Sequence, residues 1–371
     1  MGYFNSPTHR PKFWMQAPRH WSALVLSASV AVLSSCSPNT SPSNPSTTSP
    51  QSATSPTATD ALQVVTTFLP ITQFTKAVAG DRAQMSQLLP PNTGPHDYQA
   101  KPEEVQRLAE ADVLVQNGLE LEEFLTDLVE NAANPDLKII DSSQGIATIS
   151  HEAVAGEAHA EGEVHAEAGH DHEGEFNPHI WLDPKRTMQQ VATIRDGLIA
   201  ADPTGETEYT ANAAALIEQL RQLDAEIATT LKPYAAQTFV AFHGFAPYFA
   251  QSYGLKAQFL VDVPEDNPSP ADVKRVFDQV KASQLKTILT EPQAGADTLA
   301  ALAKDLNVTV SVFDPTETTD ATAIAPDYYF TTMRQNVQSL VSAFGGSTQS
   351  TLPLWIPSTI ATVPQPVRIR F

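Results

Sequence analysis

From Leu62 onward, short β-branched runs alternate with longer stretches whose apolar positions recur every three to four residues. Leu62–Phe68, Val113–Val115 and Lys138–Ile140 have the length and side-chain type of strands. Between them, Ile71–Ala79, Pro102–Ala111 and Leu121–Asn131 carry a helical period, the second opened by proline in its first turn. The second half repeats the alternation. Phe239–Phe242, Ala257–Val261, Thr287–Thr290 and Val308–Phe313 read as strands, and Ala246–Tyr253, Leu299–Leu306 and Asp327–Phe344 as helices. Another helix runs from Ser269 to Ser283, with Ser at the N-cap, Pro270 at the first helical position and Asp272 in the first turn. Strands alternating with helices predict parallel βαβ units, hence an α/β protein.

Between the halves, Leu216, Leu220, Leu223, Ile227 and Leu231 fall at steps of four, three, four and four. They lay one apolar stripe along a helix from Glu206 to Lys232, a rod of about 40 Å. Such a helix either packs inside one lobe or joins two lobes and restricts their opening. Residues 347–371 show no period.

Upstream of Leu62 the pattern changes. Residues 1–20 contain Arg10, Lys12 and Arg19 and no acid, and Trp21–Leu33 is an apolar run. As a helix that run covers about 20 Å, short of the ~30 Å of a bilayer core, so it predicts a secretion signal over 1–35 rather than a permanent span. The run ends in Leu33-Ser34-Ser35-Cys36, which resembles the bacterial lipoprotein cleavage box and makes Cys36 the expected lipid attachment point. Residues 36–60 are almost wholly Ser, Thr, Pro, Asn and Gln, the composition of a flexible tether. The expected location is therefore extracytoplasmic, with the chain held to a membrane by its lipid.

Composition removes several function classes. With 22 Lys+Arg against 42 Asp+Glu the net charge is −20, and losing the three cationic residues of the signal takes it to −23. Nucleic acid is excluded as a partner by that balance. A single Cys excludes a disulfide framework and a multi-cysteine metal site.

The ten histidines are unevenly spread. His151, His159, His165, His170 and His172 lie in a run, 151–175, that also holds eight acids and no Lys or Arg. It lacks core-forming side chains and predicts a mobile insertion over 151–176, with weak metal capture in many registers. Three isolated histidines remain outside the signal region: His96 in Gly94-Pro-His-Asp-Tyr98, His179 in Asn177-Pro-His-Ile-Trp-Leu-Asp-Pro184, and His243 in His243-Gly-Phe-Ala-Pro-Tyr-Phe249. Each sits where a strand can end in a loop.

With Pro268-Ser-Pro-Ala271, Glu291-Pro-Gln293 and Val312-Phe-Asp-Pro315, these motifs resemble the solute-binding lipoproteins of bacterial ABC importers for zinc and manganese, the cluster A-I family. The resemblance covers about residues 61–345. It implies two α/β lobes (61–203 and 233–346) joined by a rigid helix (204–232), with Zn(II) as the transported ligand in the interlobe cleft. It further implies ligands at His96, His179 and His243, and a fourth position at Asp314, filled either by that carboxylate or by a water. His rather than Glu at the third position, and the acidic His run before the second motif, mark the zinc branch. Delivery to an ABC-type permease follows, from a monomeric receptor that is not an enzyme. A manganese or iron receptor of the same family and a metal-binding adhesin or storage lipoprotein are the alternatives. A zinc hydrolase would need a general base beside the metal, and no HExxH pairing occurs. Asp183 reads as an N-cap for a helix opening at Pro184, and Asp97 as a neighbour able to orient an imidazole.

Overall fold

The structure, a computed structural model, describes residues 61–96, 98–150, 175–261, 268–283, 285–292, 296–319 and 327–346. The signal segment, Cys36, the tether, Asp97, the His151–His172 run and the tail 347–371 lie outside the described residues. No helix among the described residues is long and apolar enough to cross a membrane.

The first half is built on a parallel sheet of β1 (Leu62–Thr66), β2 (Ala83–Gln87), β3 (Val113–Gln116) and β4 (Lys138–Asp141), in the order β2-β1-β3-β4. Its helices are α1 (Leu69–Ala79), α2 (Pro102–Ala109), α3 (Leu125–Ala132) and α4 (Pro184–Ala201). β2 has no strand signature, because Ala-Gln-Met-Ser-Gln occupies an edge where the backbone ladder to β1, rather than apolar side chains, supplies the pairing. α3 begins four residues later than the periodicity suggests. Gly118, Leu119 and Glu120 all take positive φ, so the chain turns left-handed there before it can wind into a helix. α4 starts as its sequence predicts: Asp183 Oδ1 accepts from Lys185 N at 3.1 Å, and Pro184 takes the first helical position.

The second half has two parallel ladders, β5 (Thr238–His243) with β6 (Lys256–Val261) and β7 (Thr287–Thr290) with β8 (Thr309–Val312). Helices α6 (Pro247–Tyr253), α7 (Pro270–Ser283), α8 (Ala296–Leu306) and α9 (Tyr328–Ala343) accompany them. Every residue of β5 and β7 is buried, as expected for central parallel strands covered on both faces.

Between the halves, α5 runs unbroken from Glu206 to Leu231, and the predicted stripe is its buried face: Leu216, Leu220, Leu223, Ile227 and Leu231, extended by Tyr209 and Ala213. It packs against α1 and α4 of the first half and α9 of the second. One apolar core therefore passes from Val64 and Phe74 through α5 to Phe239, Phe249 and Val341. Arg334 Nε donates to Glu226 Oε2 at 2.8 Å and ties α9 to the same rod. A smaller core of Val240, Leu260, Val276, Ile288 and Leu299 belongs to the second half alone. The protein is thus α/β, with two lobes joined by a long helix embedded in both.

All the strands among the described residues are parallel, so their carboxyl ends share one side of each sheet, where loops can converge on a ligand. The loops after β2, β4, β7 and β8 carry His96, His179, Glu291 and Glu317 respectively, and His243 ends β5 itself.

Candidate metal centre

His243 is the last residue of β5, His179 precedes a 3-10 turn at Ile180–Leu182, and His96 lies in the loop after β2. The fold brings these three imidazoles together with the carboxylate of Glu317. Across the cleft, Trp181 Nε1 donates to Pro315 O at 2.8 Å, Thr319 N to Pro91 O at 2.7 Å and Tyr329 Oη to Trp181 O at 2.7 Å. These ties hold the first-lobe loops of His96 and His179 against the second-lobe loop of Glu317.

The donor atoms all lie within 4.8 Å of one another. His179 Nε2 is 3.1 Å from His243 Nε2. Glu317 Oε1 is 3.2 Å from His179 Nε2, 3.6 Å from His96 Nε2 and 3.8 Å from His243 Nε2. Donors at 2.0–2.1 Å from a tetrahedral ion form edges of about 3.3–3.4 Å. Four of the six edges lie at 3.1–3.8 Å and the rest within 4.8 Å, so the donors are close enough to converge on one ion of that kind.

Hydrogen bonds set which ring nitrogens can serve as donors. Asn177 Nδ2 donates to Gly244 O at 2.7 Å, which turns its Oδ1 toward His179 Nδ1 at 3.1 Å. Glu291 Oε1 accepts from His243 N at 3.0 Å and from His243 Nδ1 at 2.7 Å. In both rings the proton therefore belongs on Nδ1, leaving Nε2 as a bare lone pair aimed at the centre. Two such lone pairs 3.1 Å apart repel, and a cation between them converts that repulsion into ligation.

Charge points the same way. Burial pushes the His179 imidazole down to about 3, against the pull of Glu317, so it stays neutral and available to a metal at ordinary pH. Burial alone would raise Glu317, but the surrounding imidazoles of His179, His96 and His243 more than offset it and hold the carboxyl well below its usual range. Burial, reinforced by the Glu317 charge, pushes the Glu291 carboxyl well above its ordinary value. Three imidazoles and one carboxylate form a mixed nitrogen–oxygen set suited to Zn²⁺; Mn²⁺ favours more oxygen donors.

The fourth position is a correction to the sequence reading. Asp314 is not part of the converging group. Its carboxylate accepts from Thr316 N at 2.7 Å and Tyr328 Oη at 3.2 Å, while its backbone is stapled to α9 by Asn336. Glu317 replaces it, three residues further on. The intervening Thr316 takes φ +64, an outlier for a β-branched residue, and this left-handed step helps turn the following chain back toward the imidazoles. The available signal was an acid inside the run Thr316-Glu317-Thr318, with reach enough to return from a turn. Glu291, which entered the sequence analysis only as part of a motif, contacts both the backbone N–H and the ring of His243.

The sequence matches, over residues 64–343, the protein family described as "Zinc-uptake complex component A periplasmic". It is 32% identical over 281 residues to the zinc-binding lipoprotein AdcA of Streptococcus pneumoniae, covering 75% of this chain and 55% of that protein. It is 28% identical over 286 residues to the manganese-binding lipoprotein MntA of Halalkalibacterium halodurans, covering 76% and 88%. The chain spans about half the length of the streptococcal AdcA proteins it matches. Its fold is similar to that of the Zn(II)-bound ZnuA-like domain of Streptococcus pneumoniae AdcA, with a TM-score of 0.62, 29% identity, and coverage of 76% of this chain and 98% of that domain.

Proposed function

The chain belongs to the zinc-uptake complex component A family, and on that premise we propose that it captures Zn(II) outside the cytoplasm and passes it to an ABC-type import permease. The observation that carries this reading is the convergence of His96, His179, His243 and Glu317 on one point between the lobes. In this reading those four residues are the ligands. His96 and His179 come from one lobe and His243 and Glu317 from the other, so binding clamps the lobes together and release requires them to part. Asn177 and Glu291 keep two of the imidazoles presenting Nε2. Zinc is cargo, and no bond of a substrate is made or broken. Cys36 anchors the receptor through its lipid, the Ser/Thr/Pro-rich segment gives it reach, and the His/acid run gathers zinc weakly nearby. The receptor acts as a monomer.

The related manganese-binding protein makes Mn²⁺ the competing cargo, but three nitrogen donors and one carboxylate favour Zn²⁺. Calorimetric titration of the wild type, His179→Ala and a chain lacking 151–174 tests the assignment. One tight zinc site is expected in the wild type and in the deletion, and none in His179→Ala. A tight site that survives His179→Ala would sink the assignment. Manganese displacing zinc at comparable concentration would move the cargo to the second reading.

A further inference from the structure

Asn177 is 2% exposed, and each of its polar groups is engaged. Oδ1 accepts from His179 N at 3.2 Å and faces His179 Nδ1 at 3.1 Å. Nδ2 donates to the carbonyl of Gly244, the residue after His243, at 2.7 Å. Its backbone N–H donates to Ile149 O at 2.9 Å, and its carbonyl accepts from Tyr248 Oη at 2.7 Å. Tyr248 belongs to α6 in the second lobe, and its hydroxyl oxygen also accepts from Ile149 N at 3.0 Å. From the first lobe, Asn117 Nδ2 holds the next carbonyl, Pro178 O, at 3.0 Å. One amide thus joins the segment bearing His179 to the segment bearing His243.

The chemistry makes this more than a brace. An Asn amide has an acceptor on one side and a donor on the other. While Nδ2 is anchored on Gly244 O, Oδ1 must face His179, which keeps the ring proton on Nδ1 and the Nε2 lone pair open. Turned over, the amide would offer an N–H to Nδ1, move the ring proton to Nε2 and close that donor. Two groups resist the turn: the His179 N–H at 3.2 Å from Oδ1, in the same lobe, and Gly244 O at 2.7 Å from Nδ2, in the other.

We propose that Asn177 is a positioning residue that couples the apposition of the lobes to the donor state of His179. Lobe contact presets His179 for cation capture. When Gly244 draws away from Asn177, the amide keeps only the longer of its two restraints, the His179 N–H, so the imidazole can change tautomer and the cation is loosened. The inference rests on the metal-centre reading, but its first readout needs no metal.

Nitrogen-15 NMR of the imidazoles in the zinc-free full chain reports the tautomer of His179, and stopped-flow transfer of zinc to excess chelator reports release. Wild type should show the Nδ1–H form. Asn177→Ala should show a mixture of tautomers and release zinc about 10- to 100-fold faster, the usual consequence of losing a ligand's outer partner. Asn177→Asp presents an acceptor to His179 in either orientation but has no donor for Gly244. It should keep the Nδ1–H form and, because no N–H can turn toward Nδ1, release zinc more slowly than Asn177→Ala. Thermal unfolding establishes that each variant is folded. A folded Asn177→Ala protein with the wild-type tautomer and wild-type release overturns the proposal. If that variant does not fold, an Nε2–H tautomer in Asn177→Asp overturns it instead. A wild type that binds no zinc would remove the functional reading, while the tautomer comparison would still decide the role of the amide.

Discussion

Replacing Glu317 with Gln keeps the shape of the side chain and removes the one anionic donor from the group. Truncating one member of a buried charged pair typically costs about 2–5 kcal/mol. At about 1.4 kcal/mol per decade, that is a rise in zinc Kd of roughly 30-fold to several thousandfold. The structure favours the middle of the range or above, because neither nearby carboxyl is free to substitute. Asp314 is held by Thr316 N and Tyr328 Oη, and Glu291 by two hydrogen bonds from His243. The expected loss for Glu317→Gln is therefore about 100- to 1,000-fold. Asp314→Asn keeps an oxygen for Thr316 N and should stay within about threefold of wild type. Competition against a chelator of known affinity at neutral pH measures both, with thermal unfolding to verify the fold. A Glu317→Gln protein within threefold of wild type would refute the assignment, as would an Asp314→Asn loss of the same size.

Three further expectations concern stability and the shape of the site. Asp202 accepts from Arg82, Tyr209 and Thr204; burial acts to raise its carboxyl, but these bonds outweigh it and hold the value at about 2. A depressed folded value contributes stability that is present above the unfolded value and lost as pH falls through about 2, so Asp202→Asn should cost on the order of 2 kcal/mol at pH 7, with the difference closing between pH 4 and 2 in denaturant titrations. A difference that persists unchanged at pH 2 would reject the charge-based account. Leu223→Ala, on the fully buried stripe of α5, should cost about 2–5 kcal/mol and lower Tm by at least about 5 °C; a shift below about 2 °C would show that the stripe is not core. Thr316→Gly relieves about 1–3 kcal/mol of left-handed strain and gives up about 1 kcal/mol of burial. Its Tm should therefore hold or rise, with zinc affinity within threefold, and a clear fall in Tm would count against the strain.

Much of the fold is legible from spacing. The stripe on α5 and the β-branched runs of β3, β5 and β7 are one-dimensional patterns, because burial on one helical face or on both faces of a central strand leaves a period in the sequence. β2 left no such mark. It is a polar edge strand whose pairing comes from backbone groups that every residue carries. The three site imidazoles were legible for a different reason: each is an isolated His at a loop where a strand ends, and parallel topology gathers those ends on one side of each sheet.

The sequence by itself determined the α/β alternation, the long apolar-striped helix, the acidic balance that excludes nucleic acid, and which histidines stand apart from the acidic run. Tertiary structure alone decided the rest of the centre. Asp314 and Glu317 are both acids after the same strand. The choice between them was made by a left-handed residue between the two and by Tyr328 and Thr316 engaging the first. Likewise, nothing in the order of residues pairs Asn177 with Gly244 or Glu291 with His243. Those partners lie 67 and 48 positions apart, and only packing around α5 brings them within hydrogen-bonding distance.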